Sequence, residues 1–424
     1  MTAVLDNGVV FLSEPIATSR TIAVGFWFST GSRYEKENQK GITHFVEHLL
    51  FKGTNPSQRY PKGLSAYDIA CSFDRMGGYI NAFTEREDVC VHFTVPYIHF
   101  KEALCILSEM VSNSAFNEND IEKERSVICS EILATKDDPE DSAMDEFSEV
   151  LWPNNTVSAS IAGSVNDVNK LQRTSLLDWY KKYIRNGALQ VSIAGNFDVS
   201  EAIVELEKLP NRPIVKPGLL QNHKFELPVW HSGITVKKAE FQMEQIFYAF
   251  PLTIPFTRTD YYCWAILNAL IGDTMSSRLF QSLRENGGYC YNVYSFFSIY
   301  DDCGVWCAYA STPADKTGEV LQKLKDEIAN LRTATISDDE IIAAKEHICG
   351  EEIINAEDVE QHMKKMSRQF SLGFELETIE ETLTKVRSIT KNEIIQTLNS
   401  LLCIEKQVIF IYGPKLKKRI RKNI

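Results

Sequence analysis

Residues 9–15 (VVFLSEP) and 21–30 (TIAVGFWFST) are rich in β-branched and aromatic side chains and read as strands. The spacing of apolar residues then changes to the helical period in 43–51 (THFVEHLLF) and 65–76 (SAYDIACSFDRM). Strand patterns return in 79–87 (YINAFTERE) and 89–96 (VCVHFTVP), followed by helical segments at 100–113 and 118–138. A fifth helical run (174–184, TSLLDWYKKYI), a break at Asn186-Gly187 and an apolar strand (189–196, LQVSIAGN) close this half.

Residues 208–224 (KLPNRPIVKPGLLQNHK) concentrate proline and polar residues without periodicity, the pattern of a linker. Beyond it, residues 386–414 repeat the order of residues 171–196: a Thr-initiated helix, a short break, an apolar strand and a turn with glycine. This echo implies internal duplication. The expectation is an α+β protein of two homologous domains, each a mostly antiparallel sheet packed with helices. The divisions are residues 1–208, a linker at 209–224, and residues 225–424. The duplication is unequal. Residues 261–272 (YYCWAILNALIG) stand where 43–51 stand in the first half, and they contain no histidine and no acid.

A length of 424 residues is too great for one ordinary core and fits two or three domains. The net charge of −12 disfavours nucleic acid, whose phosphates call for a concentrated basic surface. The basic end, residues 415–424, is read as a solvated tail, with a membrane or an acidic partner as the alternative. The ten cysteines are scattered without a CxxC pair, which favours a reducing compartment, and Cys303 and Cys307 read as core residues of a strand. The first residues show neither secretory nor organelle-targeting character, and no apolar run reaches a membrane span. The expectation is a cytoplasmic protein with no membrane partner.

The chemistry concentrates in 41–54, GITHFVEHLLFKGT. On a helix, His44 and His48 lie on one face and can aim two imidazoles at one point, as a Zn²⁺ ion requires of two ligands. Glu47 shares that side, where its carboxylate can take a proton from a water without displacing a ligand. The HxxEH order inverts the more familiar HExxH metalloprotease helix. A third ligand is required, and the helical stretch from 121 offers Glu122, Glu124 and Glu131. Glu124 and Glu131 are two turns apart and share a face.

Residues 44–54 (HFVEHLLFKGT), 77–88 (GGYINAFTERED), 122–132 (EKERSVICSEI) and 276–295 (SSRLFQSLRENGGYCYNVYS) together resemble the pitrilysin-type (M16) metallopeptidases, the family of the mitochondrial processing peptidase and its bacterial homologues. The resemblance runs through nearly the whole chain. It implies a zinc-dependent endopeptidase acting on unfolded peptides enclosed between facing domains, with this chain forming half of a clamshell chamber. It assigns His44, His48 and a downstream glutamate to one Zn²⁺ per chain, and Glu47 to the role of base. Counting from His48 points to Glu124 as the third ligand, whereas local matching points to Glu131, leaving Glu124 as a supporting acid of the catalytic set. The resemblance also assigns substrate binding to the edge strand at Asn81, Ala82, Phe83 and Thr84. It further implies that Arg284 and Tyr291 complete the catalytic site from the second half. A half-length chain with one metal site leads to the expectation of a homodimer. The alternative is a non-catalytic or partner-dependent subunit serving as a scaffold or peptide-binding protein.

Overall fold

The computed structural model describes residues 1–219, 225–333 and 336–414; the end of the proposed linker and the basic tail lie outside the described residues. Among the described residues, eleven strands form two sheets. The first contains β1 (Thr2–Val4), β2 (Val10–Pro15), β3 (Thr21–Phe28), β4 (Tyr79–Thr84), β5 (Val89–Pro96) and β6 (Leu189–Gly195), in the order β1-β2-β6-β3-β5-β4. The second contains β7 (Gly233–Lys238), β8 (Met243–Pro251), β9 (Asn292–Ile299), β10 (Gly304–Pro313) and β11 (Val408–Gly413), in the order β7-β11-β8-β10-β9. Apart from β1, the two orders correspond strand for strand. In each sheet the last strand of its half inserts beside the first of the corresponding set, making the one parallel pair (β2 with β6, β7 with β11). Every other pairing is antiparallel. The duplication inferred from residues 171–196 and 386–414 is therefore a duplication of topology, and the α+β class with two homologous domains holds.

The helices of the first half include α1 (Ile42–Leu50), α2 (Ala66–Met76), α3 (Phe100–Asn113), α4 (Glu118–Asp137) and α5 (Pro139–Leu151). The chain falls into two compact units whose divisions cut across the sequence halves: Lys136–Ser158 clusters with the second sheet, and Asn355–Leu376 clusters with the first. Each half thus gives one helix to the other half's sheet. In the first unit, the helix Val359–Ser371 lays Val359, Met363, Met366 and Phe370 on Val10, Leu12, Ala23 and Ala194. The opposite face of that sheet is covered by α1, α2, α3 and α4 around Phe11, Val24, Phe26 and Phe93. Coverage on both faces explains why β6 is buried along its whole length, including Gln190 and Ser192, whose side chains are bonded to Ser367 and Trp27. In the second unit, α5 presents Ala143, Phe147 and Leu151, one face at i, i+4 and i+8. The Phe147 ring stacks on Phe247 with centroids 4.4 Å apart. Cys307 is fully buried in β10 and Cys303 is buried just before it, as expected of core residues, and all ten cysteines are free. No helix among the described residues is long and apolar enough to cross a membrane.

Candidate active site

The helix α1 separates its side chains cleanly. Ile42, Phe45, Val46, Leu49 and Leu50 are buried at helical spacing, and His44, Glu47 and His48 occupy the half-buried remainder. Its start is fixed by Gly41 at φ +81, where a Cβ would stand 2.4 Å from the Ala162 carbonyl oxygen. The carboxylate of Glu35 accepts from the Gly41 and Thr43 amides at 2.7 and 2.8 Å, satisfying donors that begin the helix. Burial pushes the Glu35 carboxyl up to about 8, against the lowering effect of these hydrogen bonds.

The rings of His44 and His48 meet edge to face, with their Nε2 atoms 3.3 Å apart. The Glu131 carboxylate comes from α4 and lies 3.4 Å from Nε2 of His48 and 4.0 Å from Nε2 of His44. These three residues can place their donor atoms within 4.8 Å of one another, and among the described residues they form the one such group. Two imidazole nitrogens and one carboxylate oxygen, leaving a fourth position open, are the donor set of a hydrolytic zinc site, so the residues present fit that ion. Burial, and secondarily the neighbouring His48, lower His44 to about 4; at neutral pH its ring is uncharged and keeps a lone pair for a metal.

Glu124 occupies a different place. It is buried, and its Oε2 lies 3.1 Å from Nδ1 of His48, the nitrogen turned away from the cluster. Its other oxygen pairs with Lys52 at 2.8 Å. The geometry thus brings Glu131, not Glu124, to the converging Nε2 atoms. One helix supplies both acids because Glu124, Ile128 and Glu131 recur at i, i+4 and i+7, with Ile128 fully buried between them. Arg125 holds α4 in place: it donates to the Leu171 carbonyl at 2.9 Å and to the Val168 carbonyl, and its guanidinium lies 5.3 Å from the centre of the Phe45 ring on α1.

Glu47 is tied to the neighbouring sheet. The Thr84 hydroxyl donates to its Oε2 at 2.5 Å. Burial raises the Glu47 carboxyl, while the Thr84 bond and the neighbouring His48 oppose the rise. Thr84 ends β4, which pairs only with β5 and forms the edge of its sheet among the described residues. Asn81 is exposed on this edge, and its side-chain oxygen accepts from the Ala82 amide at 2.9 Å, covering one outward donor. Ala82 and Phe83 are half-buried, and the Phe83 ring packs edge-on to Trp27 at 5.6 Å.

Arg284 and Tyr291 belong to the second unit. Arg284 is exposed, its guanidinium 4.9 Å from the centre of the Phe280 ring. Tyr291 is 77% exposed, its amide bonded to the Ser311 carbonyl just before β9 begins, so it is not a buried core residue. Sequence reasoning missed Lys52, Glu35 and the Thr84–Glu47 bond. Lys52 had a usable signal, since it continues the four-residue spacing of His44 and His48.

A family model described as Insulinase (Peptidase family M16) matches residues 10–165. A second, described as Peptidase M16 inactive domain, matches residues 170–348. The uncharacterized zinc protease YmxG of Bacillus subtilis is 31% identical over 413 residues, 96% of this chain and 97% of that protein. The uncharacterized zinc protease SCO5738 of Streptomyces coelicolor is 30% identical over 423 residues, 98% and 90% of the respective chains. Among solved structures, a peptidase M16 inactive domain from Pseudomonas fluorescens matches with a TM-score of 0.87 at 17% identity, covering 98% of both chains. A protease from Helicobacter pylori matches with a TM-score of 0.84 at 18% identity, covering 98% of this chain and 99% of that one; at such identities the likeness is one of fold. Sequence kinship over the full length and the shared fold agree: this chain belongs to peptidase family M16.

Proposed function

We propose that the protein is a zinc-dependent endopeptidase that hydrolyses unfolded peptides or small polypeptides. The observation that carries this reading is the convergence of His44, His48 and Glu131 beside Glu47, on a helix whose base touches the last residue of an open sheet edge. His44, His48 and Glu131 would hold one Zn²⁺ per chain. When bound, such an ion supplies Lewis acidity and lowers the pKa of water toward about 7.

The chain's own residues supply the rest. Glu47 takes the proton of the attacking water and returns it to the leaving amine. The Thr84 hydroxyl holds one of its oxygens and thereby orients the carboxylate. The β4 edge at Asn81–Thr84 receives the substrate backbone as an added strand, its unpaired amides and carbonyls binding without regard to sequence. Docking there displaces the Asn81 side chain from the Ala82 amide. Arg284 and Tyr291 supply donors to the developing oxyanion from the second unit. The working form is a homodimer acting within the cytoplasm.

The test is hydrolysis of an internally quenched unstructured peptide by purified protein, before and after chelation and on restoring zinc. Activity that is lost with the metal, regained with zinc and abolished in Glu47→Gln supports the reading. A zinc-loaded wild-type chain that cleaves no peptide would instead favour the scaffold alternative.

A further inference from the structure

The residue after α1 that reaches back into the site is Lys52. It lies one turn beyond His48 on the same side, and the chain then turns away through Gly53 at φ +116, where a Cβ would stand 2.5 Å from the Leu64 carbonyl oxygen. Its ammonium lies 2.8 Å from one oxygen of Glu124, whose other oxygen faces Nδ1 of His48 at 3.1 Å. Glu124 has an 8% exposed side chain, and among the described residues Lys52 is the Lys or Arg side chain that pairs with it. A carboxylate this removed from water requires such a partner.

The two histidines differ in how they are held. Nδ1 of His48 has the Glu124 carboxylate, whereas Nδ1 of His44 is buried with no hydrogen-bond partner among the described residues. A ring that donates from Nδ1 presents its Nε2 lone pair in a fixed direction, which is what a ligand needs. We propose that Lys52 is a positioning residue for metal binding: by fixing Glu124 it fixes the His48 ring, and it acts on the metal only through that carboxylate. A lysine near a helix C-terminus could instead be a dipole-complementing surface charge. That role would not require contact with a buried acid, and it would be indifferent to what stands at position 124.

The inference rests on the zinc reading above, and it is tested without turnover. Zinc dissociation constants of the intact chain are measured by competition with a chelator for wild type, Lys52→Met, Lys52→Arg, Glu124→Gln and the double variant Lys52→Met/Glu124→Gln. Loss of a partner to a ligating histidine weakens metal affinity by about 10–100-fold, and Lys52→Met is expected to fall in that range. Lys52→Arg, which keeps the charge, should recover most of the loss. The double variant should bind no more weakly than Glu124→Gln alone, because the lysine has nothing left to act through. Lys52→Gln repeats the comparison should Lys52→Met fold poorly. Wild-type affinity in both Lys52→Met and Lys52→Gln, or losses that add in the double variant, would overturn the positioning role and leave the zinc site standing. A wild-type chain that binds no zinc would overturn both.

Discussion

The two halves repeat one topology and spend it differently. In the first, α1 buries one face and leaves His44, Glu47 and His48 on the other. In the second, the helix Arg258–Asn268 buries Tyr262, Cys263, Trp264, Ile266, Leu267 and Asn268. Its acid, Asp260, is consumed by a capping box with Thr257. The edge strands diverge in the same way. Tyr294 of β9 is bonded to Glu140 on α5 at 2.6 Å, and Ser295 to Asn268 at 2.8 Å, so that edge is braced by its own unit. On β4, Tyr79 likewise reaches the exchanged helix, its hydroxyl donating to Glu360 at 2.7 Å, but Asn81 is exposed and Thr84 is bonded to the candidate base. A duplicated scaffold acquires a reactive centre by leaving polar side chains uncommitted to packing on one helix and one edge. The other copy retains the fold and invests the same positions in stability.

If that contrast is right, the largest effect comes from the α1 face. Glu47→Gln is nearly isosteric and spares the ligands, so zinc content should be unchanged. Peptide turnover should drop by about 10²–10⁴-fold, the usual loss for a general base. Kinetics within a few-fold of wild type, with metal bound, would remove Glu47 from the chemistry.

The stabilising investment of the second unit is open to the opposite test. Phe147 is 3% exposed and stacked on Phe247. Phe147→Ala should cost about 3–5 kcal/mol in urea unfolding, as cavity-forming aromatic deletions do, with zinc affinity preserved. A change below about 1 kcal/mol would mean that α5 contributes little to holding the second sheet.

The comparison is sharpened by two exposed residues of the second half. Arg284→Ala and Tyr291→Phe should lower kcat/KM by about 10²–10³-fold, the cost of a lost oxyanion donor, with melting temperature and zinc content held. Unaltered kinetics in both would confine catalysis to the first unit.

The smallest effect concerns the exchanged helix Val359–Ser371. His362 on this helix lies 3.0 Å from Glu14 of β2, and that bond, the leading cause, raises the His362 pKa. A histidine raised in the folded state stabilises at low pH, and the contribution is lost as pH rises from the ordinary value of 6.5 through the raised one. Stability of the wild type should therefore decline modestly across that range, and His362→Gln should flatten the decline. Parallel profiles for the two proteins would exclude the pair as the cause.

Much of this is legible in the sequence. The strand patterns of 79–87 and 89–96 became β4 and β5, and the echo of residues 171–196 in 386–414 became matched strand orders. The spacing of His44, Glu47 and His48 was informative because a helix converts i, i+4 into a shared face. The helix exchange was not legible. Ala143, Phe147 and Leu151 announce an amphipathic helix, but periodicity says which face is buried and never against which sheet. Glu124 and Glu131 were separable only by local matching, because both lie on one face of α4; the side-chain contacts with opposite nitrogens of His48 distinguish them. The Thr84–Glu47 bond joins residues from different elements and leaves no trace in local spacing.

The central claim is that the first half alone carries a three-ligand zinc site. It is tested most directly by metal analysis of the purified wild type, His48→Ala, Glu131→Gln and Glu124→Gln after equilibration with limiting zinc. The expected result is close to one Zn²⁺ per wild-type chain, none in His48→Ala, severe loss in Glu131→Gln, and weakened but measurable binding in Glu124→Gln. Full metal in Glu131→Gln together with loss in Glu124→Gln would contradict the ligand set, and full metal in His48→Ala would contradict the site itself.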